Sequence, residues 1–468
     1  MSDSGRRDLF EVRSVPRAIL SLALPTVAGQ IILVIYNMAD TFFLGLTGND
    51  AMLTAATICM PAFLFLSAVS NLFGIGGGSA IARALGTGDR ERVRSTAAFA
   101  LWGCLAVTGL YSLLAFFARD AFVDLLGGTA PAVHPRAVEY LCVTVTLGGL
   151  ATAAATLLAH LIRAEGCALL ASTGIAIGGV LNIALDPLFM FVLLPPGHET
   201  LGAAAATALA NFLSLLYFAA ALLRRRKKTQ LSFCLSGSIL KEGIPAEVLA
   251  AGLPACTMTL CENVSYAVLG KLMSLSGVAI QAGVGVAKKV NMLAHCTVRG
   301  IAQGALPLIA YNFAAKNYAR MKEAIRVANR IAVLAAGTCT AVCLLWSRPL
   351  IGVFIHSASP ALAFGAAFLR ILCIGGPFSA GAYTYISFFQ AVNEGRKSFL
   401  LALLRKGVID IPLMFLLSGV WPTFGIVAAT PIADALCCLA AVLMFRAYIG
   451  KLTGCALAGE GAPATTAV

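Results

Sequence analysis

A chain of 468 residues that is 59% hydrophobic and only 12% charged carries more apolar surface than a soluble core can hide, and a lipid bilayer is the solvent that suits it. The net charge of +13 does not describe a nucleic-acid surface, because the bases cluster between apolar segments and no soluble basic domain backs them. The fourteen cysteines are scattered through apolar stretches with no CxxC pair and no histidine at zinc spacing, which excludes a metal framework and leaves small buried side chains.

The first sixteen residues, MSDSGRRDLFEVRSVP, are polar, and no small-residue cleavage site follows the first apolar segment. Residues 1–16 therefore read as a cytoplasmic amino-terminal segment. Apolar runs long enough to span a bilayer follow at about 17–46, 52–82, 95–117, 137–162, 169–194 and 201–223, which form a first lobe over 17–223. A polar stretch at 224–244, opened by RRRKK and continued by a surface-lying segment, reads as a cytoplasmic linker. Six more spans at about 246–275, 278–311, 325–346, 362–391, 398–419 and 424–447 form a second lobe over 245–448. Residues 449–468 read as a disordered tail.

With the first end inside, the inner loops carry Arg83, Arg90, Arg92, Arg94, Arg224 to Lys228, Lys316, Arg320, Lys322, Arg396 and Lys397, against chiefly Arg119, Arg136 and Arg348 outside. That asymmetry puts both termini in the cytoplasm and the chain in the cytoplasmic (inner) membrane.

The lobes also resemble one another in letters. Leu24-Pro25 recurs as Leu253-Pro254, GIGGG at 74–78 as GIAQG at 300–304, and LGTGDRERVR at 85–94 as FAAKNYARMK at 313–322. Glu165-Gly166 returns as Glu394-Gly395, DPLFMF at 186–191 as DIPLMF at 410–415, and AATALAN at 205–211 as AATPIAD at 428–434. Every offset lies between 223 and 229. Because each copy holds an even number of spans, the copies share one orientation about an axis along the membrane normal. The predicted fold is an all-α polytopic membrane protein with twelve transmembrane helices in two pseudo-symmetric six-helix bundles around a central cavity.

The order of LP then NMADTFFLG in the first span, GGGSAIARALGTGD after the second, IRAEG after the fourth, NIALDP in the fifth and QGALPLIAYNFAAKN after the eighth resembles the multidrug and toxic compound extrusion (MATE) family over about residues 15–450. The resemblance implies a twelve-helix fold and export of amphipathic, often cationic compounds in exchange for H+ or Na+. No enzyme is implied.

Asp40, late in the first span, and Asp186, in the fifth, are carboxylates where an ionised group costs roughly 2.5–3.5 kcal/mol on translocon-type scales. Asn182 precedes Asp186 by four, so both share one helix face, and Pro187 leaves the carbonyl of Ile183 without its amide donor. Two carboxylates, an amide and an open carbonyl suit a hard monovalent cation or a shared proton. The resemblance implies that Asp40, Asn182, Asp186 and Thr207 form the coupling-ion site. The plainer alternatives are that Asp40 caps a helix end and Asp186 pairs with a buried base. Pro25 frees the carbonyl of Ser21 and is a candidate hinge, with packing as its alternative.

In the second copy no acid stands at the position of Asp40. Glu262 is a candidate substrate or ion ligand, or else the partner of Lys271 or Lys288. Asp410 mirrors Asp186, but Arg405 and Lys406 lie about one turn away, and a salt bridge is the preferred reading. Lys288, Lys289 and Arg299 lie in the eighth span, where they snorkel or face the cavity. Cavity-facing lysines would suit anionic or zwitterionic cargo. The five histidines have no catalytic partners at a recognisable spacing, and His160 and His295 read as satisfied buried side chains. GIGGG lacks the lysine of a phosphate loop and reads as close helix packing.

The expected activity is a secondary antiporter exporting amphipathic small molecules by alternating access, working as a monomer among membrane lipids. It uses no nucleic acid, no cofactor except the coupling ion and no metal except Na+ as that ion. The rival is a lipid-linked oligosaccharide flippase of a related superfamily.

Overall fold

The computed structural model describes residues 3–234, 243–355 and 360–457. The described residues contain no strand, and twelve helical rods follow the twelve expected spans. The first six are α1 (Val15–Leu46), α2 (Asp50–Thr87), α3 (Arg90–Phe117), α4 (His134–Leu147 continued by Gly149–Ala164), α5 (Ala168–Leu193) and α6 (Glu199–Arg224). The second six are α7 (Ile244–Ser274), α8 (Val278–Ala314), α9 (Tyr318–Leu345), α10 (Pro360–Ile374 continued by Gly376–Ala391), α11 (Gly395–Leu403, Leu404–Val408 and Asp410–Val420) and α12 (Phe424–Leu457). The expected surface-lying stretch at 235–242, His356 and the tail at 458–468 lie outside the described residues.

Ten of the rods, with each bent pair counted once, are long and apolar enough to cross a membrane. The other two are α8, which carries Lys288, Lys289 and Arg299, and α11, which carries Arg405, Lys406 and Asp410. Internal charge lowers the apolarity of α8, which runs unbroken for 37 residues, whereas α11 is divided into pieces of 9, 5 and 11 residues.

The duplication is visible in the irregularities. Rod α4 bends by 48° at Gly148 and α10 by 43° at Gly375. A Cβ on Gly148 would lie 3.0 Å from Ala208, and one on Gly375 would lie 2.9 Å from Pro431, so each bend brings a bare backbone against the last helix of its own copy.

Two compact units form, one from residues 1–12 and 28–252, the other from 13–27 and 253–468. They do not coincide with lobes cut at the linker. The start of α1, up to Val27, belongs to the second unit, and the start of α7, up to Gly252, belongs to the first. Glycine explains both exchanges. A Cβ on Gly300 or Gly304 of α8 would meet the Cα of Val27 at 2.7 Å or of Ala23 at 2.6 Å, and one on Gly252 of α7 would strike the carbonyl of Leu72 in α2. The GIGGG run, inside α2, does the same work from its own side. A Cβ on Gly76 would strike the carbonyl of Val248, while Gly74 and Gly77 seat His160 and Ala100. No side chain larger than hydrogen fits these crossings.

Each unit buries runs of small residues and leaves many large apolar ones facing outward, although Phe218, Phe368 and Phe388 are buried. Ala153, Ala154, Ala155 and Ala159 of α4 are buried, whereas Leu110, Phe117, Leu169 and Val192 in the first unit and Leu334, Leu345 and Leu416 in the second are exposed. In lipid there is no advantage in hiding leucine, and close backbone approach takes over as the packing force.

Candidate ion and substrate sites

The first unit's site depends on how thin α5 is. Gly179 packs on Ile32 and Tyr36 of α1, where an added Cβ would lie 2.7 Å from Ile32, and Gly178 packs on Ser214 of α6 at 3.2 Å. With α1 and α6 drawn against α5, Asp40 faces Asp186 and Asn182. Asn182 donates to Asp186 Oδ1 at 3.3 Å and to Thr207 Oγ1 at 3.1 Å. Asp186 is wholly buried, Asn182 and Thr207 nearly so.

Asp40 Oδ1, Asp186 Oδ2 and Asn182 Oδ1 are buried without a hydrogen-bond partner. Among the described residues no base pairs with either carboxylate. The alternative of a buried base for Asp186 is therefore not what the structure contains. The four residues singled out from the sequence come together, and what they lack is a positive partner. Tyr36 and Tyr140, both buried, stand close enough to the two carboxylates to sense their charge. Tyr36 could have been found, since it precedes Asp40 by four on one face; nothing in the local sequence points to Tyr140.

The second unit holds the opposite arrangement. Glu262 of α7 accepts from Arg299 of α8 at 2.7 Å and from Arg405 of α11 at 3.3 Å, and the hydroxyl of Tyr383 in α10 donates to it. Lys271 and Lys288 are thus not its partners, because spacing along one helix says nothing of what neighbouring helices bring. Arg405, fully buried, donates to Asp434 at 2.8 Å and to Ser379 at 2.8 Å, and its guanidinium lies 4.0 Å from the centre of the Tyr383 ring.

Asp410 is held by Lys406 at 3.5 Å and by the hydroxyl of Ser265 at 2.6 Å. The expected salt bridge of Asp410 is present with Lys406, whereas Arg405 turns to Asp434. Lys288, half-buried, sits near Lys406, Asp410, Asp434 and Glu262. His295 shares a hydrogen bond with Ser379 at 3.2 Å, and His160 one with Arg163 at 3.2 Å, so both histidines are satisfied.

Three acids, Glu262, Asp410 and Asp434, are matched here by three paired bases, Arg299, Arg405 and Lys406. Arg405 and Lys406 lie on a wide turn in which the Ile409 amide reaches back to the Leu404 carbonyl at 3.1 Å. Such turns re-aim side chains and recur at functional sites. Ser265, Ser379 and Tyr383 were not legible as site residues, although Ser265 lies in the repeat opposite the Asp40 region.

Pro25 sits inside α1 two residues before the point where the helix passes from one unit to the other, and Pro254 inside α7 two residues after the corresponding point. Beside Pro25, Thr26 turns its hydroxyl back onto the Leu22 carbonyl at 2.7 Å, a bond that favours bending.

The family model MatE matches residues 25–188 and again 254–416, so one model fits both copies. The chain is 28% identical over 446 residues to the multidrug export protein MepA of Staphylococcus saprophyticus, covering 95% of this chain and 96% of that one. It is 26% identical over 450 residues to MepA of Staphylococcus haemolyticus, with the same coverage. Among solved structures it resembles an outward-facing multidrug resistance transporter of the MOP superfamily, with a TM-score of 0.88 at 24% identity over 97% of this chain and 100% of that one. It also resembles a MOP superfamily transporter from Pyrococcus furiosus described as having a binding pocket of reversed polarity, with a TM-score of 0.85 at 22% identity over 97% and 99%.

Proposed function

Because the chain belongs to the MatE family, the multidrug and toxic compound extrusion transporters, we propose that it is a secondary antiporter of the bacterial inner membrane that exports amphipathic small molecules in exchange for H+ or Na+. Asp40, Asn182, Asp186 and Thr207 are its coupling-ion site. The observation that carries this reading is the set of three unpartnered buried oxygens on Asp40, Asn182 and Asp186 with no base beside them. Two carboxylates held in this state are costly unless a cation or proton joins them.

Exchange requires that the loaded and empty site favour different conformations, since an ion with equal affinity for both shifts nothing. Helices α1 and α7 cross between the units beside Pro25 and Pro254, and bending there is how loading of Asp40 reaches both units. The bases at the ends of α2, α6, α8 and α10 support a topology with both termini in the cytoplasm.

A lipid-linked oligosaccharide flippase is not favoured. Of the α8 bases that suggested an anionic cargo, Arg299 is taken up by Glu262, while Lys288 and Lys289 make no ion pair among the described residues, so the weight against a flippase lies with the relatives. The relatives named MepA match along nearly the full length. The test is efflux of cationic dyes from everted vesicles, read as collapse of an imposed pH or Na+ gradient. Asp40→Asn should insert normally and abolish the response, and wild-type efflux from that variant overturns the assignment.

A further inference from the structure

We propose that the second unit retains a copy of the coupling-ion site in which the ammonium of Lys406 is the permanent occupant, a tethered cation in place of an exchangeable one. The inference rests on the ion-site reading of the first unit given above.

The two sets of residues correspond by their register in the sequence repeat. Asn182 precedes Asp186 by four and donates to it at 3.3 Å, and Lys406 precedes Asp410 by four and donates to it at 3.5 Å. Asp40 of α1 faces Asp186, while Ser265 of α7 donates to Asp410 at 2.6 Å. Thr207 corresponds to Thr430, whose buried hydroxyl has no partner, and Asn211 to Asp434, which Lys406 reaches at 3.8 Å. The register is 225 residues for Asp40 and Ser265 and 223 or 224 for the others, within the range the rest of the repeat defines.

At the two positions that hold Asp410 the changes move charge toward the positive, while Asn211 to Asp434 adds an acid that Arg405 answers. An acid becomes a hydroxyl at Ser265, and an amide becomes an ammonium at Lys406. In the first unit two carboxylates wait for a cation from solution. In the second, Asp410 is already neutralised by a charge that cannot leave, and the surrounding Glu262, Asp434, Arg299 and Arg405 balance one another. Lys288 and His295 also approach this cluster, from α8, and neither supplies a carboxylate that would draw in a second cation. One exchangeable ion per chain, taken up in the first unit, is the consequence.

The test counts cations. With the full-length protein in lipid nanodiscs, Na+ binding is measured by calorimetry, and proton uptake or release by a pH indicator in weak buffer. Wild type should take one Na+ or one H+ per chain and Asp40→Asn none. Ser265→Asp combined with Lys406→Asn, which restores the carboxylate, amide and carboxylate of the first unit, should double the wild-type count. The same pair in the Asp40→Asn background should return it to one.

A folded double variant that binds no more cation than wild type overturns the proposal. Retention of the wild-type cation by Asp40→Asn would instead refute the first-unit site and still leave the increment from the double variant readable. Where the double variant does not fold, Lys406→Ala replaces it. Made in the Asp40→Asn background, where the first-unit site binds no cation, its lowered melting midpoint should rise again with added ethylammonium or Na+ while Asp40→Asn alone does not respond, and equal response of both overturns the proposal.

Discussion

Replacing Asp434 by Asn should cost far more stability than replacing Asp40 by Asn, although both remove one intramembrane carboxylate. Arg405 is completely buried and makes three bonds, to Asp434 at 2.8 Å, to Ser379 at 2.8 Å and to Glu262 at 3.3 Å. Asp434 also lies 3.8 Å from Lys406. Without Asp434 the cluster keeps Arg299, Arg405 and Lys406 against two acids, and one buried charge is left uncompensated. Breaking a buried pair in this way costs about 3–5 kcal/mol. Asp40 has no base to abandon, and its Oδ1 is already without a partner, so Asp40→Asn should change stability by less than about 1 kcal/mol or raise it. Intrinsic fluorescence melting of the two purified variants beside wild type reads the difference directly. Equal losses for both, or a wild-type midpoint for Asp434→Asn, would refute the claim that the units handle charge in opposite ways.

Two further outcomes follow from the packing and bending of α1 and α7. Gly252→Val puts a side chain into the Leu72 carbonyl and should cost at least the ~1–3 kcal/mol of ordinary overpacking, seen as a drop in yield and melting midpoint; a neutral result would mean that α2 and α7 are not in close contact there. Pro25→Ala and Pro254→Ala restore amide donors to α1 and α7 and should raise the melting midpoint while slowing efflux in vesicles. Unchanged efflux would remove the hinge.

The twelve spans were legible because a bilayer demands runs of about 20 apolar residues, and few other folds do. The Lys406–Asp410 pair was legible for a related reason, since residues four apart on a helix are neighbours whatever surrounds them. The partners of Glu262 were not, because Arg299 and Arg405 lie 37 and 143 residues away on other helices. The exchange of helix starts was hidden for the same reason. Gly252, Gly300 and Gly304 are visible in the sequence as small residues, but only packing shows that Gly252 faces Leu72 and Gly304 faces Ala23. Periodicity describes the face of one helix and is silent on which helix meets it.

That silence matters most where the two copies diverge. By letter, Asn182 and Lys406 are one difference among many in a repeat that has drifted over most of its length. In lipid they are not comparable to the rest, because each change of charge must be answered locally or it is too costly to keep. The second unit answers its acids with bases carried on its own helices, so the network can be read as structure. The first leaves Asp40 and Asp186 unanswered among the described residues. A protein that has learned in one copy to neutralise the same carboxylate with a lysine, and has not done so in the other, is under pressure to keep that charge available to something that comes and goes.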